Sequence, residues 1–280
     1  MVSVFLLLSA GLSVGLCLAG GAFASLHVLW QLPVFFLAAF LALTLAFLLV
    51  FAVSCFVVDP KKMVETPSPY YRALFHHFCK LAFFLGGVRL ETTSLEKLPQ
   101  KGRFMLISNH LFAFDPLVFY HEMPKAELAF ISKTEVFSWP LVSQMMRKLL
   151  CLPLDRNNDR AALKSILKAV QFLKEDKASI AIFPEGGTSK SGRLQPFRSG
   201  AFKIAQKAGV PIVICAITNT KAIRKNMFRR KTRVTLDVLA VMPPEELTEL
   251  KTTIAISERA HAILSEGLAR RGVETEPASE

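Results

Sequence analysis

The residues best suited to chemistry are His110 and Asp115, five positions apart in Ser108-Asn109-His110-Leu111-Phe112-Ala113-Phe114-Asp115-Pro116. An imidazole changes charge near neutrality and can serve as a general base. A carboxylate on its far ring nitrogen fixes the tautomer and stabilises the imidazolium that forms. On a continuous helix the two side chains would point about 140° apart, so the pair needs a loop that turns back. Pro116 marks a helix start there, with Asp115 as its cap. Taken alone, the same residues also describe a satisfied loop histidine and a capping aspartate.

A second cluster reads Phe183-Pro184-Glu185-Gly186-Gly187-Thr188-Ser189-Lys190-Ser191-Gly192-Arg193-Leu194. Small residues leave backbone N–H groups open, and Lys190 and Arg193 add charge, which suits an anion such as phosphate. Loops of Gly, Ser and Lys are also plain turns. Glu185 is unusual in a phosphate cradle; it could accept hydrogen bonds from an Arg or from a substrate hydroxyl.

Both clusters follow apolar runs that read as buried strands, residues 104–108 and 179–183. Further strands are expected at 128–131, 210–217 and 234–241. Helices are expected at 70–85, 136–149, 159–175 (capped by Asn158 or Asp159), 200–208 (stopped by Gly209) and about 245–270. Continuous apolar strands alternating with helices predict an α/β fold, a mainly parallel sheet covered on both faces. In such sheets the loops at the carboxyl ends of strands carry the site.

The 280 residues hold 34 Lys+Arg and 22 Asp+Glu, and none of these lies before Asp59. A membrane-spanning helix needs about 20 apolar residues, and this stretch is far longer. We expect two spans, roughly 2–25 and 34–57, turning at Gln31-Leu32-Pro33; the first could instead lie in the interface. The alternative, a signal peptide, lacks its basic start. The first charges, Asp59, Lys61, Lys62, Arg72 and Lys80, place the following domain in the cytoplasm by the positive-inside rule. Five cysteines without CxxC spacing argue against disulfides and zinc. Residues 221–233 hold Lys221, Arg224, Lys225, Arg229, Arg230, Lys231 and Arg233 with no acid. That stretch reads as an anionic-lipid or acyl-carrier surface, as a solvated loop, or as a nucleic-acid contact; no nucleic-acid module accompanies it, and none is expected as partner.

The order of these motifs resembles the lysophosphatidic acid acyltransferase (1-acyl-sn-glycerol-3-phosphate acyltransferase) family. Its NHxxxxD motif is met by Asn109, His110 and Asp115. Its KxEL…P…G…IPxDR region is matched by Lys133, Glu135, Pro140, Pro153, Asp155 and Arg156. Its FPEGTRS and GRLxPFxxGAF motifs are matched by Phe183, Pro184, Glu185, Gly186 and Ser189, then by Gly192, Arg193, Leu194, Pro196, Phe197, Gly200, Ala201 and Phe202. VPIVPVAI is close to residues 210–217. The similarity spans roughly residues 70–240.

The resemblance implies a glycerol-phosphate acyltransferase-like fold, which follows the N-terminal transmembrane helical hairpin expected from the uncharged stretch. The chain then divides into an anchor (1–58), a membrane-surface linker helix (59–90), the acyltransferase core (91–244) and a C-terminal helix with a polar tail (245–280). The resemblance makes His110 the general base and Asp115 its orienting group. It assigns substrate contacts to Asn109, Lys133, Arg156, Glu185, Gly186, Gly187, Thr188 and Arg193. No metal or cofactor is required. The expected partners are a lysophospholipid acceptor, an acyl-CoA or acyl carrier protein donor, and anionic membrane lipid.

With no GxSxG elbow and no Cys placed beside a His, direct transfer is expected, the oxyanion held by N–H groups near Gly186-Gly187. The chain departs from the pattern at Thr188, where the family has the Arg associated with the acceptor's phosphate; Arg193, Lys190 or Arg156 could replace it. Otherwise the acceptor is glycerol-3-phosphate, a lyso-ornithine lipid or another lysophospholipid. A non-catalytic binding protein of the same fold is the remaining alternative.

Overall fold

The computed structural model describes residues 1–273 except Pro60, Lys61, Met63, Arg156 and Phe228. Among the described residues the chain forms, in order, α1 (Val2–Ala19), α2 (Val28–Phe56), α3 (Pro69–Leu85), β1 (Val88–Thr93), β2 (Met105–Ser108), α4 (Asp115–Glu122), β3 (Leu128–Lys133), α5 (Val142–Lys148), β4 (Leu152–Leu154), α6 (Asp159–Lys174), β5 (Ser179–Ile182), α7 (Lys203–Ala208), β6 (Ile212–Thr218), α8 (Lys221–Asn226), β7 (Thr232–Met242), α9 (Pro244–Glu249) and α10 (Thr253–Ala269).

The strands form one sheet in the order β1-β7-β6-β2-β5-β3-β4. The block from β6 to β4 is parallel throughout, as the apolar runs predicted. β7 is antiparallel to β6, and β1 runs parallel to β7. Alternate residues of each strand face opposite sides. Leu106, Phe130, Ala181 and Val213 pack under α3, α4 and α5. Met105, Ala129, Ile180 and Ile212 pack under α6, α7, α9 and α10.

β2 and β5 are neighbours, yet their connections leave for opposite faces: β2 leads to α4 on the first and β5 to α7 on the second. Diverging connections open a crevice at the carboxyl ends of the two strands, the switch point where open α/β sheets hold ligands.

Several elements differ from expectation. The hairpin turns at Gly20-Gly21, where Gly21 takes φ 66°, and not at Pro33. Pro33 lies inside α2 as its sixth residue, where it has no N–H to give the Leu29 carbonyl. β1, a half-buried strand of charged and polar residues, gave no apolar run, so the sheet begins before residue 91. The final helix is two, α9 and α10, broken at residues 250–252; Thr252 caps α10 by accepting the Ala255 N–H at 3.2 Å. Asn158 caps α6 on the Ala161 N–H, as expected.

Both α1 and α2 are long and apolar enough to cross a membrane. On α2 only Thr44, Phe51, Ser54 and Cys55 are buried, unlike the core helix of a soluble domain. α3 is wedged between α2 and the domain. The Tyr71 hydroxyl donates to the Ser54 carbonyl at 2.9 Å, the Phe51 and Phe78 rings stack at 4.6 Å, and Phe75 meets Tyr120 of α4 edge-on at 5.0 Å. All five cysteines are free and buried.

Candidate active site

β2 is fully buried, and its ladder to β6 ends at Ser108 opposite Cys215. At the next residue a side chain takes over from the backbone. The Asn109 amide donates to the Ile217 carbonyl at 2.8 Å and its oxygen accepts the Ile217 N–H at 2.9 Å. This substitute ladder rung holds the strand end while the main chain turns away. Asn109 is 1% exposed with both ends of its amide engaged, which sets it in the scaffold and not at a substrate surface.

The turn brings His110 and Asp115 together. His110 Nδ1 lies 2.8 Å from Asp115 Oδ2. The same oxygen accepts the N–H groups of Leu111 at 2.6 Å and Phe112 at 2.9 Å. Asp115 is therefore not the cap expected from Pro116: it is the first residue of α4, and its carboxylate reaches back over the preceding loop. The side chain is fully buried, and Oδ1 has no partner. Hydrogen bonds to an ionised group are each worth about 1.5–3 kcal/mol, so three on one oxygen fix the loop firmly.

β5 supplies the other wall. The Phe183 ring lies flat on the His110 imidazole, centroids 4.1 Å apart and planes 8° from parallel. Glu185 is buried; its Oε1 accepts the His110 main-chain N–H at 2.5 Å and its Oε2 the Gln195 N–H at 2.9 Å. Its carboxylate thus joins the two motif loops. Ser189 N–H donates to the His110 carbonyl at 2.8 Å. Gly186, at φ 84°, makes the turn only a glycine makes without strain, and its N–H already donates to Phe183 O at 3.1 Å.

The structure thus gathers Asn109, His110, Asp115, Glu185 and Gly186 at the switch point. Half-buried Gly187 and exposed Thr188 and Arg193 follow along the same loop. Lys133 is exposed at the end of β3, two strands from β2. Arg156 lies outside the described residues. Sequence reasoning missed the stacking of Phe183 and the clamp on Ile217. The motif Phe-Pro-Glu-Gly held the first signal; the second depends on strand order alone. It placed Lys221 only in the basic stretch and missed its contact: the Nζ donates to the Lys190 carbonyl at 2.7 Å.

An open, mainly parallel sheet with a His–Asp pair at its switch point defines an α/β protein whose candidate site lies at the carboxyl ends of two neighbouring strands. The acyltransferase family model matches residues 89–218, the stretch from β1 to the end of β6. Residues 89–218 thus form an acyltransferase domain, as the motifs indicated. It is 32% identical over 189 residues to a 1-acyl-sn-glycerol-3-phosphate acyltransferase of Limnanthes alba, covering 65% of this chain and 66% of that one. It is 28% identical over 183 residues to the enzyme of that name from Escherichia coli, covering 65% and 73%. A relative of the same name from Borreliella burgdorferi is matched over 56% of its length, at 28% identity and over 50% of this chain. The chain thus spans less than two thirds of the length of several curated relatives. The crystal structure of the 1-acyl-sn-glycerophosphate acyltransferase PlsC from Thermotoga maritima has the same fold, with a TM-score of 0.61 at 22% identity over 74% of this chain and 82% of that one.

Proposed function

We propose that the protein transfers a fatty acyl group from an acyl thioester, on coenzyme A or acyl carrier protein, to the free hydroxyl of a lysophospholipid. The acceptor that fits best is the sn-2 hydroxyl of 1-acyl-glycerol-3-phosphate, giving phosphatidic acid. The observation that carries this reading is the His110 Nδ1–Asp115 Oδ2 contact of 2.8 Å at the switch point.

With Nδ1–H donated to Asp115, Nε2 is the basic nitrogen of the ring. It takes the acceptor's hydroxyl proton as that oxygen attacks the thioester carbonyl. The tetrahedral intermediate collapses, the C–S bond breaks, and the imidazolium returns its proton to the departing thiolate. Asp115 stabilises the imidazolium between the two steps. Phe183 fixes the plane of the ring, and Glu185 fixes the backbone from which it projects. Because the Gly186 N–H is engaged, oxyanion donors come from elsewhere on the loop, Gly187 N–H being the nearest candidate. The resident chemistry needs no metal and no cofactor beyond the acyl carrier.

The two apolar helices anchor the enzyme in the cell membrane, with the catalytic domain on the cytoplasmic side where Lys62, Arg72 and Lys80 lie. Arg224 and Lys225 of α8, with Arg229, Arg230 and Lys231 after it, face anionic lipid. Thr188, where the family has Arg, favours a second reading in which the acceptor is another lysophospholipid or glycerol-3-phosphate.

The test is acyl transfer by the purified full-length protein, with a panel of lyso-lipids and both donor types, read by mass spectrometry. Phosphatidic acid formed from 1-acyl-glycerol-3-phosphate is the expected product. Absence of transfer to any acceptor would leave a binding protein of the same fold. Washing membranes with carbonate is expected to leave the protein in the pellet; its release would refute the anchor.

A further inference from the structure

Recognition of the acceptor's charge falls, from sequence, to cations on the loop after β5, but a further cation reaches that loop from another element. Lys221 is the first residue of α8, three positions beyond the end of β6. β6 is paired with β2, so α8 begins at the same edge as His110. The Lys221 Nζ donates to the main-chain oxygen of Lys190 at 2.7 Å. Lys190 follows Ser189, whose N–H donates to the His110 carbonyl at 2.8 Å. Two hydrogen bonds and one peptide link therefore join the Lys221 ammonium to the backbone of the general base.

The lysine is held at both ends. At its root, Thr220 is fully buried and Asn219 takes φ 65°, its amide donating to the Arg233 carbonyl at 2.7 Å. At its tip the ammonium is folded onto a carbonyl 31 residues back in the chain. A surface lysine ordinarily extends its ammonium into water. An ammonium has three N–H donors, and the carbonyl takes one. Among the described residues no carboxylate pairs with Lys221, so its charge is not neutralised locally. Lys190, exposed beside it, adds a second cation to the same rim.

We infer that Lys221 determines acceptor specificity: its ammonium, with Lys190, seats the phosphomonoester of the acceptor while His110 engages the hydroxyl. This rests on acyl transfer to 1-acyl-glycerol-3-phosphate and goes beyond it by giving the charge recognition to α8. A phosphomonoester carries close to two negative charges at neutral pH and three strong acceptor oxygens. Two fixed ammonium groups answer that charge as point cations, without the fork geometry of an arginine.

The experiment uses the full-length protein with Lys221→Gln, which keeps a donor but loses the charge, and Lys221→Arg, which keeps the charge. Wild-type transfer to 1-acyl-glycerol-3-phosphate is measured first and decides the underlying reading by itself. Lys221→Gln is then expected to raise the acceptor KM about ten-fold, the loss of one charge-assisted contact. The donor KM and the melting temperature should stay near wild type, and Lys221→Arg should recover most of the acceptor KM. An unchanged acceptor KM in Lys221→Gln overturns the inference. So does a parallel change in both KM values with a lower melting temperature, which would make Lys221 only a tie for the loop.

Discussion

The loops after β2 and β5 meet at one edge of the sheet but are built differently. The loop after β2 is closed by buried carboxylates. Glu185 takes the N–H of His110, and Asp115 takes those of Leu111 and Phe112 together with the His110 ring. The loop after β5 is a longer excursion. It is pinned at its base by Arg198 N–H on Pro184 O at 2.9 Å and propped by Ser189 Oγ on the Gly192 N–H at 2.9 Å. Thr188, Lys190, Ser191 and Arg193 are left exposed on it. A catalytic group must be held to within about 0.5 Å, which the tightly closed loop can do for His110 and Asp115 under the proposed function. Headgroup recognition, which the same proposal gives to the open loop and its cations, tolerates more. Glu185 is the member common to both.

The comparison breaks most sharply at the base. His110→Ala should lower turnover by at least about 10⁴-fold, the top of the range for loss of a positioned base, while the melting temperature stays close to wild type. A variant that keeps a tenth of normal turnover would remove His110 from the chemistry.

Asp115→Asn comes next. Loss of the tautomer-fixing carboxylate costs about 10⁴ in kcat where it has been measured in a hydrolase triad, and a fall of that order is expected in steady-state assays. It should also lower stability, because an asparagine cannot offer one anionic oxygen to three donors. A variant with normal kcat would show that Asp115 serves the loop alone.

Glu185→Gln tests the link between the loops. Each of its oxygens accepts a main-chain N–H, so an amide must turn its NH₂ toward one of them, leaving a buried clash of donors worth about 1–3 kcal/mol. A kcat loss of about ten-fold or more together with a lower melting temperature is expected. An effect confined to the acceptor KM would instead make Glu185 a substrate ligand.

The smallest effect is assigned to Arg193→Ala on the open loop. It should raise the acceptor KM by about three- to ten-fold with little change in kcat, as loss of uniform binding does. Equal movement of donor and acceptor KM would make it a structural tie.

Local pattern was enough for much of the architecture. Apolar runs at residues 104–108 and 179–183 marked buried strands, Asn158 and Gly209 marked helix ends, and fifty-eight uncharged residues marked two apolar helices. These features are set by neighbours a few residues apart, through side-chain burial and capping, so they are written in the chain itself. The motif residues were legible in the same way, as types and order.

What each motif residue touches was not. Asn109 reads as a substrate ligand until β6 is placed beside β2 and Ile217 takes both ends of its amide. Lys221 reads as one charge in a basic run until the strand order brings α8 against the loop after β5. β1 has no apolar period because it is an edge strand whose partner, β7, lies well over a hundred residues away. The sequence determined which residues are present to do chemistry and which short elements carry them. The tertiary structure alone decided which of them meet, because parallel pairing joins strands distant in the chain and the choice of face for each crossover sets where the crevice opens.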